Sequence, residues 1–263
     1  MPRGEAPYRP TRLRQKRRKP LTCVIGAKGA DGCAIIADTR VMWEAEAYDQ
    51  SKLNILWDRI VLAGSGSAPM LEMFADGLAE SKIPEAPNLS AASKQIEDVI
   101  YAIRERYEPR IGEDCELEAL IMGLDGFSEG EPYLRHVYSR GFSERIDNFA
   151  IIGHGAPYAS MLFRLLYDPL LTAKELAILG WFTISAIVSS GLDQTVGIGP
   201  LGPEAVMVRT DEAPQFLTPF DEQLSAAKDS LSKRRYRLKL LENIWGRVPQ
   251  AYARELADDP PIY

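Results

Sequence analysis

Histidine and cysteine are the scarcest chemistry-bearing residues in this chain, at two and three among 263. The cysteines (Cys23, Cys33, Cys115) form no CxxC pair, and with so few histidines a zinc cluster of ordinary ligand spacing is not expected. Their odd number excludes a regular disulfide framework and points to a reducing cytoplasm as the compartment. Cys33 and Cys115 lie in apolar or strand-like stretches and read as small buried hydrophobes. No apolar stretch reaches the roughly 18–20 residues that span a bilayer. The basic N-terminus leads into no hydrophobic signal region, so secretion is not expected. Positive charge is not in surplus either: a formal net charge of -6 argues against wholesale binding of nucleic acid. Neither cofactor nor metal is indicated.

What is present suits a globular protein with a sizeable core: 46% hydrophobic and 26% charged residues. Residues 1–21 stand apart, rich in Arg, Lys and Pro with almost nothing to bury. They read as a basic flexible arm or a removable propeptide. From Leu21 the texture changes. The apolar runs Cys23–Ala27 and Cys33–Ala37 flank Lys28-Gly-Ala-Asp-Gly32, and Asp-Gly between two such runs is a hairpin signal. A second pair, Lys52–Leu56 and Arg59–Gly64, hinges at Trp57-Asp58. These runs are apolar on both faces, which predicts burial between layers.

Helical spacing follows. Met70, Leu71, Phe74 and Leu78 make one apolar face after Gly64-Ser-Gly-Ser67. Ile96, Val99, Ile100, Ile103 and Tyr107 make a second, from Asn88 to a stop at Pro109. Strands near Glu118–Leu124 and Tyr133–Ser139 cross a Gly-rich turn. Tyr158, Met161, Leu162, Leu165 and Leu166 give a third helix, and Thr172-Ala-Lys-Glu175 opens a fourth with a capping box. Val196–Ile198 and Ala205–Arg209 read as closing strands. The alternation of strand runs and helix pairs predicts an α+β protein, its sheet core covered by helices on both sides. Residues 216–263 form a separate C-terminal helical extension, beginning at Thr218-Pro219 and ending near Gly246. Leu224, Leu231, Leu238 and Trp245 fall seven apart there, with mixed partners between them, so a docked helix fits better than a coiled coil.

The segment Leu21-Thr-Cys-Val-Ile-Gly-Ala-Lys-Gly-Ala-Asp-Gly-Cys-Ala-Ile-Ile-Ala-Asp-Thr-Arg40 resembles the opening of a proteasome subunit. Members of that family begin with threonine, a short strand and glycine, then an Asp-Gly turn, a second strand and Ala-Asp-x-Arg. Thr22, Gly26, Asp31-Gly32 and Ala37-Asp-Thr-Arg40 keep this spacing, and Lys52-Leu53 matches the next landmark through a loop about two residues shorter. The strand ending in Ala-Gly matches Ile60–Gly64. The resemblance spans roughly residues 21–210. It implies the four-layer αββα sandwich of two antiparallel sheets found in N-terminal-nucleophile hydrolases, here over residues 22–215.

The resemblance also implies a chemistry. A threonine hydroxyl needs a base. A cut before Thr22 would free an α-amino group, with reference pKa of about 7.7–8.0, to serve as one. Lys52 would keep that amine unprotonated by like-charge repulsion, and Asp38 would hold the ammonium in place. Gly64 resembles the oxyanion-hole position and Leu62 a specificity-pocket side chain favouring apolar residues. Taken singly, Thr22, Asp38 and Lys52 read as a β-former, a turn residue and a surface cation. Their joint placement carries the assignment.

The chain departs from the family pattern in four places. Leu21 stands where a glycine precedes the released threonine. Gly153-His154-Gly155 offers an imidazole where active members carry a serine, and that side chain either takes over part of the serine's hydrogen bonding or simply fits the loop. Asp193-Gln-Thr-Val196-Gly197 keeps the aspartate and glycine but has valine for serine. The C-terminal extension exceeds the usual ending. The expectation is a threonine endopeptidase acting on peptides or unfolded proteins, built as a homo-oligomeric ring or double ring, with an ATPase activator as a further partner. Alternatives are a non-catalytic α-like ring subunit retaining its arm, an amidase of a small molecule, and nucleic-acid binding through the arm.

Overall fold

The computed structural model describes residues 22–43, 46–57, 60–111, 116–126, 130–191, 196–197, 202–210, 212 and 214–217. The chain begins with the antiparallel hairpin β1 (Val24–Lys28) and β2 (Gly32–Ala37), followed by a second, β3 (Arg40–Trp43) and β4 (Glu46–Asp49). Strands β5 (Leu53–Leu56) and β6 (Ile60–Gly66) lead into helices α1 (Ala68–Ala79) and α2 (Leu89–Ile111). Then come β7 (Leu117–Leu124), β8 (Pro132–Val137), β9 (Ser143–Arg145) and β10 (Phe149–Ile152). Helices α3 (Ala156–Leu166) and α4 (Ala173–Ser190) follow, and β11 (Glu204–Arg209) and β12 (Gln215–Leu217) close the described chain.

Two five-stranded sheets result, ordered β10-β1-β2-β11-β12 and β5-β6-β7-β8-β9, with every pairing antiparallel. Strand side chains alternate between faces, and here both faces are apolar. Ile25, Ala27, Ala34, Ile36, Ala205 and Met207 meet Phe163 of α3 and Leu176 and Ile184 of α4. Their neighbours Val24, Ile35, Ala37, Val206 and Val208 meet Val61, Ala63, Leu120, Met122 and Leu134 of the other sheet. The opposite parity of that second sheet, Leu62, Ala119 and Ile121, packs under Met70 and Phe74 of α1 and Ile96 and Ile100 of α2. Three apolar layers between four structural layers make the αββα sandwich. Each fully buried Leu, Ile or Val contributes on the order of 1.5–3 kcal/mol of burial free energy. At Gly26 the sheets approach closely: a Cβ there would lie 3.0 Å from Leu120 Cδ1 and 3.1 Å from Leu134 Cδ1.

Glu175 N–H donates to Thr172 Oγ1 and Glu175 Oε2 accepts from Thr172 N–H, forming the capping box. Pro109 does not stop α2, which continues to Ile111. A proline in the last turn forfeits only one N–H, and little helix remains beyond it to break. Val196 and Gly197 belong to no strand. The Gly197 carbonyl accepts from Arg40 N–H at 3.1 Å and its N–H donates to Asp38 Oδ2 at 3.4 Å, so its backbone groups serve a loop and not a ladder. Helix α4 is 18 residues long and apolar enough, by length and composition, to cross a membrane, contrary to the sequence reading. Its inner face (Leu176, Leu179, Ile184 and Ile187) is core. Cys115 and the 218–263 segment lie outside the described residues.

Candidate active site

The site forms where the ends of both sheets meet. Thr22 lies two residues before β1, and Asp38 immediately follows β2, so the hairpin register brings the two ends side by side: Val24 pairs with Ala37, and Asp38 N–H donates to the Cys23 carbonyl at 3.1 Å. Lys52 arrives from the other sheet, one residue before β5. All three are buried, Thr22 at 3%, Asp38 at 0% and Lys52 at 8% exposure.

Asp38 is the hub. Its Oδ1 accepts from Cys23 N–H at 2.8 Å and from the Lys52 ammonium at 2.7 Å, while Oδ2 accepts from Gly197 N–H at 3.4 Å. Lys52 Nζ also donates to the Arg40 carbonyl at 2.8 Å. Two charges with so little water have to be paired, and these are paired and hydrogen-bonded as well. Burial is the larger influence on each: it pushes the Asp38 carboxyl up and the Lys52 ammonium down, and their mutual attraction opposes both shifts.

Thr22 is clamped through its backbone. Its carbonyl accepts from Gly155 N–H at 3.2 Å. Gly153 has φ +93, and a Cβ on it would fall 2.2 Å from the Thr22 carbonyl oxygen and 3.1 Å from Ser65 Oγ. Only glycine fits that conformation and that approach. The sequence-predicted Gly-x-Gly loop therefore touches Thr22 through its glycines, while His154 between them is exposed.

Gly64 lies in β6 opposite Ala119 of β7. The β5–β6 pairing ends at Leu53↔Ala63, which leaves the β5-side edge of Gly64–Gly66 beyond the last strand pair. Leu62 is 3% exposed and packed beneath α1 and α2, so it offers no open pocket surface beside Gly64. Asp193 lies outside the described residues.

Sequence reasoning missed two contributors. Ser65 is buried at the Thr22–Gly153 contact, and the Gly-Ser-Gly-Ser run signalled only the approach to a helix. Glu204 Oε2 accepts from Ser51 Oγ at 2.8 Å and Lys52 N–H at 3.3 Å, fixing the turn that delivers Lys52. An isolated glutamate starting a strand carries no sequence signal for that. Among the described residues no group of three His, Cys, Asp or Glu could hold a metal ion.

The fold is shared with solved structures despite low identity. An Anbu (ancestral beta-subunit) from Yersinia bercovieri superposes with a TM-score of 0.67 at 13% identity, covering 92% of this chain and 98% of that one. An Anbu (Gly-1) mutant from Hyphomicrobium sp. strain MC1 gives 0.65 at 16%, covering 92% and 99%. No curated protein matches by sequence. The family model described as Proteasome subunit matches residues 21–191, most of the sandwich and every described site residue except Gly197 and Glu204. On that match the chain belongs to the proteasome subunit family.

Proposed function

We propose that this chain is a threonine-type endopeptidase of a self-compartmentalised complex, with Thr22 as N-terminal nucleophile after autoprocessing at Leu21-Thr22. The observation that carries the proposal is Asp38 Oδ1, which takes both the Lys52 ammonium and the N–H of Cys23, the residue next to Thr22. One carboxylate thereby sets a cation at a fixed place beside the nucleophile.

The chemistry proceeds from there. The freed α-amine takes the proton from the Thr22 hydroxyl, and its proximity makes the transfer nearly intramolecular. Thr22 Oγ1 attacks the peptide carbonyl, and Gly64 N–H stabilises the oxyanion. Collapse breaks the C–N bond, the α-ammonium returns its proton to the leaving amine, and water hydrolyses the ester. Lys52 keeps the amine unprotonated by like-charge repulsion without accepting the proton itself. Asp193 and His154 are assigned to the surrounding proton-relay shell. The unpaired edge at Gly64–Gly66 suits an extended peptide adding as a strand.

Family membership supports assembly into rings, and we assign a homo-oligomeric ring or double ring, cytoplasmic, fed by an ATPase activator. The substrates are peptides and unfolded proteins that can enter such a chamber. A second reading, a non-catalytic α-like subunit that keeps its arm, is favoured by the exposure of His154 where active members carry a serine. The intact mass of the assembled protein separates the two. A species beginning at Thr22 that disappears in Thr22→Ala supports the peptidase. Chain that stays whole after assembly leaves Thr22 without its base and selects the structural subunit.

A further inference from the structure

A second polar cluster lies between the sheets, towards the end that carries Thr22, and takes no part in the chemistry above. His136 of β8 is 8% exposed, with its ring tilted by 36° against that of Tyr138 at 3.9 Å between centroids. Its Nε2 has no hydrogen-bond partner and faces Glu118 Oε2 of β7 at 3.6 Å, too far for a hydrogen bond. Glu144 of β9, paired in register with His136, accepts from the Tyr138 hydroxyl. No described lysine or arginine lies within ion-pair distance of Glu118 or Glu144.

Strand register places this cluster relative to Thr22. Gly26 of β1 meets Leu120 and Leu134 across the gap. Glu118 and His136 are each two residues nearer the Thr22 end on their strands, on the same inward face as Leu120 and Leu134. Glu118 pairs directly with Ser65, which sits at the Thr22–Gly153 contact. Residues opposite one another on a sheet face have Cβ atoms roughly 5 Å apart, so Glu118 stands one side chain removed from the nucleophile's loop.

We infer that Glu118 and His136 form a subsite for a primary ammonium group of the substrate. An ammonium nitrogen donates one N–H to Glu118 Oε2 and, once a small rotation of the His136 ring uncovers its occluded Nε2, another to that nitrogen, bridging a gap too wide to close directly. The Tyr138 ring and the Glu144 carboxylate add to the attraction for a cation. A substrate carboxylate is repelled by the same groups. The ammonium comes either from a lysine side chain or from the N-terminus of the peptide. The inference deepens the peptidase reading, and Glu118 is a specificity determinant in it.

The test measures peptide binding by fluorescence anisotropy to the assembled protein in its processed form, begun at residue 22 and carrying Thr22→Ala, so no arm fills the site and no turnover is needed. Three labelled peptides are compared: N-acetylated with lysine, N-acetylated with norleucine at that position, and norleucine-containing with a free N-terminus. The expected result is about tenfold tighter binding of one ammonium-bearing peptide than of the neutral one, and which of the two gains identifies the source. The ratio should fall to near one in Glu118→Gln and recover in part in Glu118→Asp. Equal binding of all three, no binding at all, or a preference untouched by Glu118→Gln overturns the subsite. Self-cleavage of the wild-type chain, read separately by mass, reports on the peptidase reading whatever the binding shows.

Discussion

Lys52 Nζ and Asp38 Oδ1 stand 2.7 Å apart with 6% and 0% of their side chains exposed, and each comes from a different sheet of the sandwich. A pair so deeply withdrawn from water is costly to form and costlier to break, because the surviving partner is left as a buried charge. Asp38→Ala should therefore lower stability by about 3–5 kcal/mol, and the melting temperature by roughly 6 °C or more. Adding Lys52→Met should restore part of the loss by removing the orphaned ammonium. Thermal and denaturant unfolding of the two single variants and the double variant checks this, and strictly additive losses would count against a coupled pair.

The pH profile of peptide cleavage should have two limbs. Below the reference range of about 7.7–8.0 the Thr22 α-amine protonates and the rate falls, and the nearby Lys52 charge moves that limb lower. Burial lowers the Lys52 pKa from its ordinary 10.5. As pH rises through that lowered value the ammonium loses its charge and leaves the buried Asp38 carboxylate without its ion-pair partner, so the site loosens and the alkaline decline should begin below 10.5. In Lys52→Arg the guanidinium stays charged and the alkaline limb should disappear, although misfit of the larger group lowers the plateau. An alkaline limb unchanged by that substitution would assign it to another group.

Gly153→Ala places a methyl 2.2 Å from the Thr22 carbonyl oxygen in a conformation with φ +93. The loop or Thr22 must shift by an ångström or so. A displacement of that size costs on the order of 100-fold in rate when it moves a reacting group. The expected phenotype is a folded, assembled protein with slow or absent processing at Thr22, whereas His154→Ala at the exposed neighbouring position keeps both glycines against Thr22 and should still process, slowed by loss of its relay but well ahead of Gly153→Ala. Normal processing in Gly153→Ala would show that the contact does not position the nucleophile.

Cys23 and Cys33 are both fully buried, and burial pushes the Cys33 thiol up to about 12. The thiolate is the reactive form, and access is a second requirement. Of the three cysteines in the chain, at most one should react with iodoacetamide in the native protein near pH 8, and all three after denaturation. Mass spectrometry of labelled peptides reads the result directly. Rapid native labelling of Cys33 would mean that the inter-sheet core opens.

Much of the sandwich was legible because its signals are local. The Asp31-Gly32 turn, the Thr172–Glu175 capping box and the runs apolar on both faces each encode their structure within a few residues. The β3–β4 hairpin escaped notice because Arg-Val-Met-Trp-Glu-Ala-Glu-Ala-Tyr-Asp49 carries no glycine, proline or asparagine to mark a turn. Strands β10 and β12 are short edge strands of four and three residues, below the length at which alternation is recognisable. Val196-Gly197 reads as strand by composition and is recruited by Asp38 and Arg40 instead, a long-range contact with no local trace. At the site, Thr22, Asp38 and Lys52 could be placed together by motif spacing. Ser65 and Glu204 could not, since their roles exist only once two sheets and a closing strand have come together.

The tight crossing at Gly26, where β1 lies against Leu120 and Leu134, has a bearing on how this protein tolerates change. Asp38 is carried by one sheet and Lys52 by the other, so the distance between them is a gauge of how one sheet lies on its partner. A side chain added at the crossing would slide or lift one sheet without unravelling either. The chain would remain folded, soluble and able to pair its strands, while the carboxylate and the ammonium lost their alignment. Substitutions in the middle layer should consequently silence the site well before they unfold the molecule, and that apolar layer behaves as part of the active site although it contains no reactive group.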